Sequence, residues 1–271
     1  MIERKITIDT DNQPLIDALA GATNLSKQSL KSALDKGCVW LKTGKKINRI
    51  RRIKKPLKIG NEVFIYFNEK ILSSIPSQPT LLLDKKSYSI WFKPAGVFSQ
   101  GSKWGDHCAL TRLVEKKLDQ PSFLVHRLDR ATSGLMILAH SKTMARDFSK
   151  LFADRLIKKT YLAIVAANFP VDKVSLDGDI DKKHALSHVT KLAENQEKSL
   201  LNVRIETGRK HQIRKHLKSF GFPIVGDRLY GTAQKNHPED LQLQAVNLVF
   251  KCPIDQQPID ITLPESDQLK L

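Results

Sequence analysis

Residues His126 to Gly134 (His-Arg-Leu-Asp-Arg-Ala-Thr-Ser-Gly) run without a break into five apolar residues, Leu135 to Ala139. A short apolar run entered through a small-residue turn predicts a buried strand. The Asp129 carboxylate then stands at the mouth of a rigid element, where a reactive group is best held in place. Arg127 and Arg130 flank it, and nearby positive charge favours the ionised form of a carboxyl group. Taken alone, an Asp between arginines is more readily an ion pair that pins a turn. The rest of the chain shifts that balance, because 45 Lys and Arg residues outnumber 28 Asp and Glu, for a formal net charge of +17. Such an excess favours a nucleic-acid or other anionic partner. An anionic group in a cationic setting points to chemistry on a polyanion.

With 271 residues the chain has room for two domains. Residues 1–70 read as a small module. Pro14 sits where a first helical turn accepts it, ahead of an apolar stripe of Leu15, Ala18 and Leu19. Ser26 is placed to cap a second helix carrying Leu30, Ala33 and Leu34, with Gly37 closing it. Strands follow at Cys38 to Leu41 and Glu62 to Phe67. Between them, from Lys42 to Lys58, nine residues are Lys or Arg and none is acidic. Lys45, Lys46, Arg49, Arg51, Arg52, Lys54 and Lys55 are the candidate phosphate contacts of that stretch, although charge blocks are often solvated loops. A Ser- and Pro-rich segment, residues 71–80, reads as an extended linker.

From residue 81 to 271 strands dominate. Ser87 to Phe92, Leu135 to His140, Lys159 to Ala166, Leu201 to Glu206 and Leu243 to Phe250 are strand candidates. Ser141 is placed to cap a helix with Met144, Phe148 and Leu151 on one face, and Lys210 to Ser219 reads as a short helix ended by Gly221. Helices enter irregularly and there is no βαβ rhythm. The fold class is therefore α+β, with a mixed, mostly antiparallel central sheet and a small N-terminal α/β domain. Cys38, Cys108 and Cys252 are scattered, with neither disulfide nor zinc spacing, and read as buried thiols. No apolar run is long enough to cross a bilayer, and the N-terminus lacks a signal-peptide core. A cytoplasmic chain, monomeric by default, is expected.

His126-Arg127-Leu128-Asp129-Arg130-Ala131-Thr132-Ser133-Gly134 resembles the signature of the RluA-type pseudouridine synthases, which isomerise uridine to pseudouridine in RNA. Three further stretches fit that family in the same order: Lys93-Pro94-Ala95-Gly96, Lys159-Thr160-Tyr161-Leu162-Ala163, and Gly208-Arg209-Lys210-His211-Gln212-Ile213-Arg214 together with Gly226-Asp227-Arg228-Leu229-Tyr230-Gly231. The companion motifs turn the reading of Asp129 from turn-pinning ion pair to nucleophile. The resemblance implies the pseudouridine synthase fold and three catalytic positions. These are Asp129, Tyr161 packed against the target uracil, and Arg214 paired with the Asp. It also implies that Arg127 fills the space left by a flipped base, with Arg130 a further RNA contact. Lys210 stands where the family commonly has a small hydroxyl residue. The N-terminal module is similar to the RNA-binding module of small-subunit ribosomal protein four, with fewer arginines on its second helix.

Isomerisation involves no redox step, so no cofactor is required. His184 and His188, four apart, and His211 and His216 raise a metal site, but no Cys or carboxylate completes a set with convincing spacing. His126 and His211 read as structural hydrogen-bonders or RNA contacts. The expected partner is structured RNA, ribosomal or transfer. The rival reading is a catalytically silent RNA-binding or RNA-folding protein on the same scaffold. A buried carboxylate facing phosphate argues against it, because that charge opposes binding.

Overall fold

The computed structural model describes residues 1–52, 57–231 and 240–271. They form two compact units, Met1–Pro76 with Gln100–Lys117, and Ser77–Ser99 with Leu118–Leu271.

In the first unit β1 (Ile2–Thr7) leads to α1 (Leu15–Thr23), α2 (Lys27–Asp35), β2 (Val39–Thr43), β3 (Lys46–Ile50), β4 (Glu62–Phe67) and the single turn α3 (Glu69–Leu72). The four strands pair antiparallel in the order β1-β4-β2-β3. Ser26 caps α2 by accepting the Ser29 N–H at 3.1 Å, and Gly37 turns the chain out of it at φ 78°. Leu15, Leu19, Leu30 and Leu34 from the helices close on Val39, Val63 and Ile65 of the sheet.

The sequence places residues 100–117 in the second domain; in the structure they belong to the first unit. Charge pairing explains it. Arg49 reaches Asp106 at 2.6 Å and donates to the Ser102 carbonyl at 2.7 Å, while its guanidinium lies 4.6 Å from the Trp40 ring centre. Arg51 grips the same Asp106 carboxylate and donates to Asp35 O at 3.1 Å. Most of α4 (Leu110–Leu118) follows. Even the expected linker is tied down, with His107 Nε2 3.1 Å from the Ser74 carbonyl. Arg49 and Arg51, read as phosphate contacts, are thus largely shielded internal partners, only 15 % and 23 % exposed. Lys45, Lys46 and Arg52 are exposed. Lys54 and Lys55 lie outside the described residues.

In the second unit one ten-stranded sheet carries the chain. Its strands are β5 (Thr80–Asp84), β6 (Tyr88–Lys93), β7 (Phe123–Leu124), β8 (Ser133–Ala139), β9 (Lys158–Ala166), β10 (Lys173–Ile180), β11 (Lys183–Glu194), β12 (Lys198–Ile205), β13 (Leu243–Lys251) and β14 (Pro258–Thr262). The main path runs β10-β11-β12-β9-β13-β8-β6-β5, with β14 on β13 and β7 on β8. Every pairing is antiparallel except β13 with β8, as a mixed, mostly antiparallel sheet requires. Two helices join it, α5 (Lys142–Ala153), capped by Ser141, and α6 (Gln212–Ser219). Phe148 of α5 packs edge-on against Tyr88 and Phe250, sealing a core with Ile90, Leu135, Ile137 and Leu162.

The hairpin of β10 and β11 has no counterpart in the sequence reading. Its outer strand, Lys-Val-Ser-Leu-Asp-Gly-Asp-Ile, carries two Asp and a Gly, and only Leu176 and Ile180 of it are buried. Such an edge strand lacks the apolar alternation that marks a strand locally.

Cys38, Cys108 and Cys252 are buried free thiols. Among the described residues no helix is long and apolar enough to cross a membrane.

The parallel contact of β8 with β13 depends on one glycine. Ser133 and Gly134 pair with Gln244 and Ala245, and Gly134 sits at φ 119°. A Cβ there would lie 2.2 Å from the Ala245 carbonyl oxygen and 2.4 Å from its nitrogen, both immobile backbone. Gly134→Ala is therefore expected to destabilise the fold by about 3 kcal/mol, from forced overpacking plus a disfavoured φ. Urea unfolding checks this, and a midpoint equal to that of the wild type would refute the close approach.

Candidate active site

Asp129 is carried by the tight loop that enters β8. The loop is locked from both sides. Thr132 N–H closes a turn on Asp129 O at 3.1 Å, and Gly96 N–H donates to Arg130 O at 2.8 Å. Arg130 returns the contact, its Nε donating to Gly96 O at 3.1 Å while the guanidinium lies 4.8 Å from the Phe98 ring centre. The buried Ser99 hydroxyl donates to Leu128 O at 2.6 Å and accepts from Leu128 N–H at 3.0 Å. Beneath lies Lys93, fully buried, with its ammonium donating to Pro94 O at 3.0 Å, Val97 O at 2.9 Å and Arg130 O at 3.4 Å. Burial pushes its pKa down to about 7, against the opposing pull of Asp129. The Lys-Pro-Ala-Gly stretch thus acts as the bolt that holds the loop still.

Strand register brings the second residue in. Ala245 of β13 pairs with Gly134 on one side and with Tyr161 of β9 on the other. Tyr161 is 9 % exposed, and burial, with the Asp129 charge adding to it, raises its phenol well above the ordinary range. It is a neutral ring with a hydroxyl donor.

Arg214 arrives on α6 and meets two carboxylates. The resemblance implies pairing with Asp129, and in addition the fork engages Asp227, Nε to Oδ2 at 2.8 Å and NH2 to Oδ1 at 2.7 Å. The remaining NH1 lies 3.7 Å from Asp129 Oδ2. Asp227 also accepts the N–H groups of Leu229 and Tyr230 at 2.9 and 3.0 Å, so its carboxylate is saturated. Burial alone would raise its pKa, but the Arg214 bonds and those two N–H groups outweigh it and hold the carboxyl below its usual value. His211, in a left-handed conformation at the start of α6, completes the group. Its Nε2 is 3.5 Å from Asp129 Oδ2 and its Nδ1 2.8 Å from the Tyr230 hydroxyl.

Asp227 and His211 received no catalytic assignment from the sequence. The signal was present in Gly226-Asp227-Arg228, since a helix arginine with apolar neighbours on a core face needs a buried counter-ion. Which of several acids supplies it is a matter of packing.

Asp129, Tyr161, His211 and Arg214 line a cleft of about 690 Å³, a size suited to a nucleoside-sized ligand. Arg127, Arg155, Lys159, Arg209, Lys210 and Arg214 line it against only Asp129 and Glu206. Arg127 is exposed. His126 faces the cleft from above Phe152, the rings 4.5 Å apart, and its Nε2 accepts the Ile137 N–H at 2.9 Å. Burial, with Lys159 nearby, pushes its pKa down to about 3, so it is a neutral structural acceptor. His184 and His188 lie on the β10–β11 hairpin and engage Asp177 and Glu206, each at 2.7 Å. His216 contacts Ser187 at 3.0 Å. Among the described residues no three His, Cys, Asp or Glu side chains gather as a metal site would need.

A loop-held carboxylate beside a buried tyrosine and a fixed arginine, in a cationic cleft on a mixed sheet, defines an enzyme that works on a polyanion. The family model for RNA pseudouridylate synthase matches residues 87–219, which include Lys93, Asp129, Tyr161 and Arg214. An uncharacterized RNA pseudouridine synthase of Synechocystis sp. is 30 % identical over 79 % of this chain and 82 % of its own length. Ribosomal large subunit pseudouridine synthase D of Borreliella burgdorferi is 30 % identical over 66 % of this chain and 64 % of its own. The solved structure of human RNA pseudouridylate synthase domain containing 1 shares the fold, with a TM-score of 0.60 at 21 % identity, covering 69 % of this chain and 84 % of that one. The chain belongs to the RNA pseudouridylate synthase family, in its RluA-type branch. It is an isomerase of uridine in RNA.

Proposed function

We propose that this chain converts a specific uridine of structured RNA, ribosomal or transfer, to pseudouridine through covalent catalysis by Asp129. The observation that carries the reading is the Asp129 carboxylate, 22 % exposed and within 3.5–3.7 Å of His211 and Arg214, in a cleft lined mostly by cations. The reaction breaks the N1–C1′ bond, turns the uracil and joins C5 to the same C1′. The C5 proton leaves and N1 ends protonated, so no electrons or phosphate are exchanged. A carboxylate that forms and then releases an adduct divides this into two easier steps. Tyr161 offers the uracil a flat neutral face. Arg214, clamped by Asp227, keeps a fixed positive charge beside the reacting carboxylate. Extruding a stacked uridine costs a few kcal/mol, and the exposed Arg127 guanidinium is placed to fill the vacated space. Arg130, partly engaged by Gly96, adds a phosphate contact at the rim.

The first unit serves as the RNA-binding module, in line with its similarity to the module of small-subunit ribosomal protein four. Among the described residues Lys45, Lys46 and Arg52 are exposed cations of the basic stretch. Replacing all three with Gln should flatten the dependence of log K on log salt by about 2, from three phosphate contacts at ~0.7–0.9 each. Arg49→Gln should loosen the unit instead. A filter-binding series across potassium chloride concentrations separates the two. An unchanged slope in the triple variant would remove the hairpin from the RNA contacts.

The same proposal puts the enzyme in the cytoplasm. The test of the whole reading is a pseudouridine map of total cellular RNA from a strain lacking the protein, with and without wild-type restoration. A site that disappears and returns supports the reading and names the substrate. Indifference of every site would favour the RNA-binding protein without catalysis.

A further inference from the structure

The cations of the cleft divide into those already engaged and those left open. Arg214 is held by Asp227, and Arg209 donates to the His184 carbonyl at 3.0 Å. Lys159 is different. It is half-buried on β9, two residues before Tyr161. Side chains two apart on a strand share a face about 7 Å apart, so both point toward the cleft they line. The Lys159 ammonium lies 5.8 Å from the Phe152 ring centre, near the limit for a cation–π contact. It also abuts Gly208, where an added Cβ would be 3.6 Å from Nζ. Among the described residues no hydrogen bond or carboxylate offsets its burial, and that burial, with the charge of Arg155 adding to it, lowers its pKa. The acid on that wall, Glu206, is engaged by His188 at 2.7 Å and Arg204 at 3.7 Å, and Arg155 acts on it at longer range.

Lys159 and Arg155 line the same cleft, and a partly desolvated cation near a second one is stabilised when an anion joins them. We propose that Lys159 and Arg155 form the subsite for the backbone phosphate adjoining the target uridine. The subsite rests on the reading of this cleft as the uridine site. A base against Tyr161 with its sugar by Asp129 puts the adjoining phosphodiester one sugar away, within the cleft that Lys159 and Arg155 line. Lys159 and Arg155 thereby set how deep the nucleotide enters. They position the substrate and take no part in bond making.

The test uses the full chain and an RNA fragment transcribed around the uridine that the cellular map identifies. Lys159→Met should weaken binding about tenfold, as for a lost charge-assisted hydrogen bond, and flatten the salt slope by ~0.7–0.9. The loss should fall mainly on KM. Lys159→Arg should restore both readouts, and Arg155→Gln added to Lys159→Met should remove a further, similar increment of slope. Arg155 is exposed, so Arg155→Gln carries the test alone if Lys159→Met does not fold. An unchanged slope in folded variants, or a loss confined to kcat, would overturn the subsite while leaving the wild-type activity intact. Absence of pseudouridine from the wild-type reaction would overturn the functional reading, and the subsite with it.

Discussion

Asp129→Asn should abolish pseudouridine formation, lowering kcat by at least ~10³-fold, as expected for loss of a covalent nucleophile. The amide has nearly the same shape and fits the same loop, because Ser99, Gly96 and Lys93 grip the backbone around position 129 and not its side chain. Folding should therefore be retained. RNA binding should hold or tighten slightly, since the change removes a negative charge from a cleft lined mostly by cations. The charge of Asp129 also raises the pKa of both Lys93 and His211, so both should titrate lower in the variant, and a fall in the His211 pKa by NMR would report it. Release of tritium from RNA labelled at uridine C5 measures the chemistry and filter retention the binding. An Asn variant with wild-type turnover would dismiss the covalent role.

Asp227→Asn should produce the largest loss of stability among single changes near the site. The Arg214–Asp227 pair is almost wholly enclosed, with side-chain exposures of 6 % and 1 %. Removing one partner of such a pair leaves a buried charge unmatched and costs about 3–5 kcal/mol. In a chain of this size that should lower the melting temperature by roughly 10 °C. The pH dependence has a definite sign. The folded Asp227 carboxyl titrates below its ordinary value, so its stabilisation is complete above the unfolded pKa of ~3.9 and is lost as pH falls through the lower folded value. The wild type should lose stability through that acid window more steeply than Asp227→Asn. Activity should fall as well, because a freed guanidinium fork can swing onto Asp129 and engage the carboxylate that must react. A variant that melts with the wild type across pH would show that Arg214 does not depend on Asp227.

Much of the site is visible along the chain because its parts are local. The strand after Gly134 follows from an unbroken apolar run, and α5 follows from Ser141 with a helical stripe behind it. The position of Tyr161 follows from a strand that reads as one. The α6 stripe of Ile213 and Leu217 turns a helix face inward and takes Arg214 with it. Each inference uses a spacing of a few residues, over which backbone geometry is regular.

What failed needed partners far apart in sequence. The basic hairpin yields nine cations and no hint that Arg49 and Arg51 are claimed by Asp106, more than fifty positions on. The segment 100–117 reads as part of the domain that surrounds it, because a change of packing partner leaves no mark on hydropathy. The β10–β11 hairpin is hidden by its polar edge strand.

The family, the candidate carboxylate of Asp129, the mixed antiparallel sheet and the cationic character of the molecule are all legible along the chain. These are properties of residue type and short-range order. Packing settles which acid grips the Arg214 fork, that Ser99 and Lys93 lock the loop of Asp129, and that Lys159 has no counter-ion among the described residues. Ion pairs and buried hydrogen bonds depend on distances of 3–4 Å and on exclusion of water, and those are set only when distant segments pack.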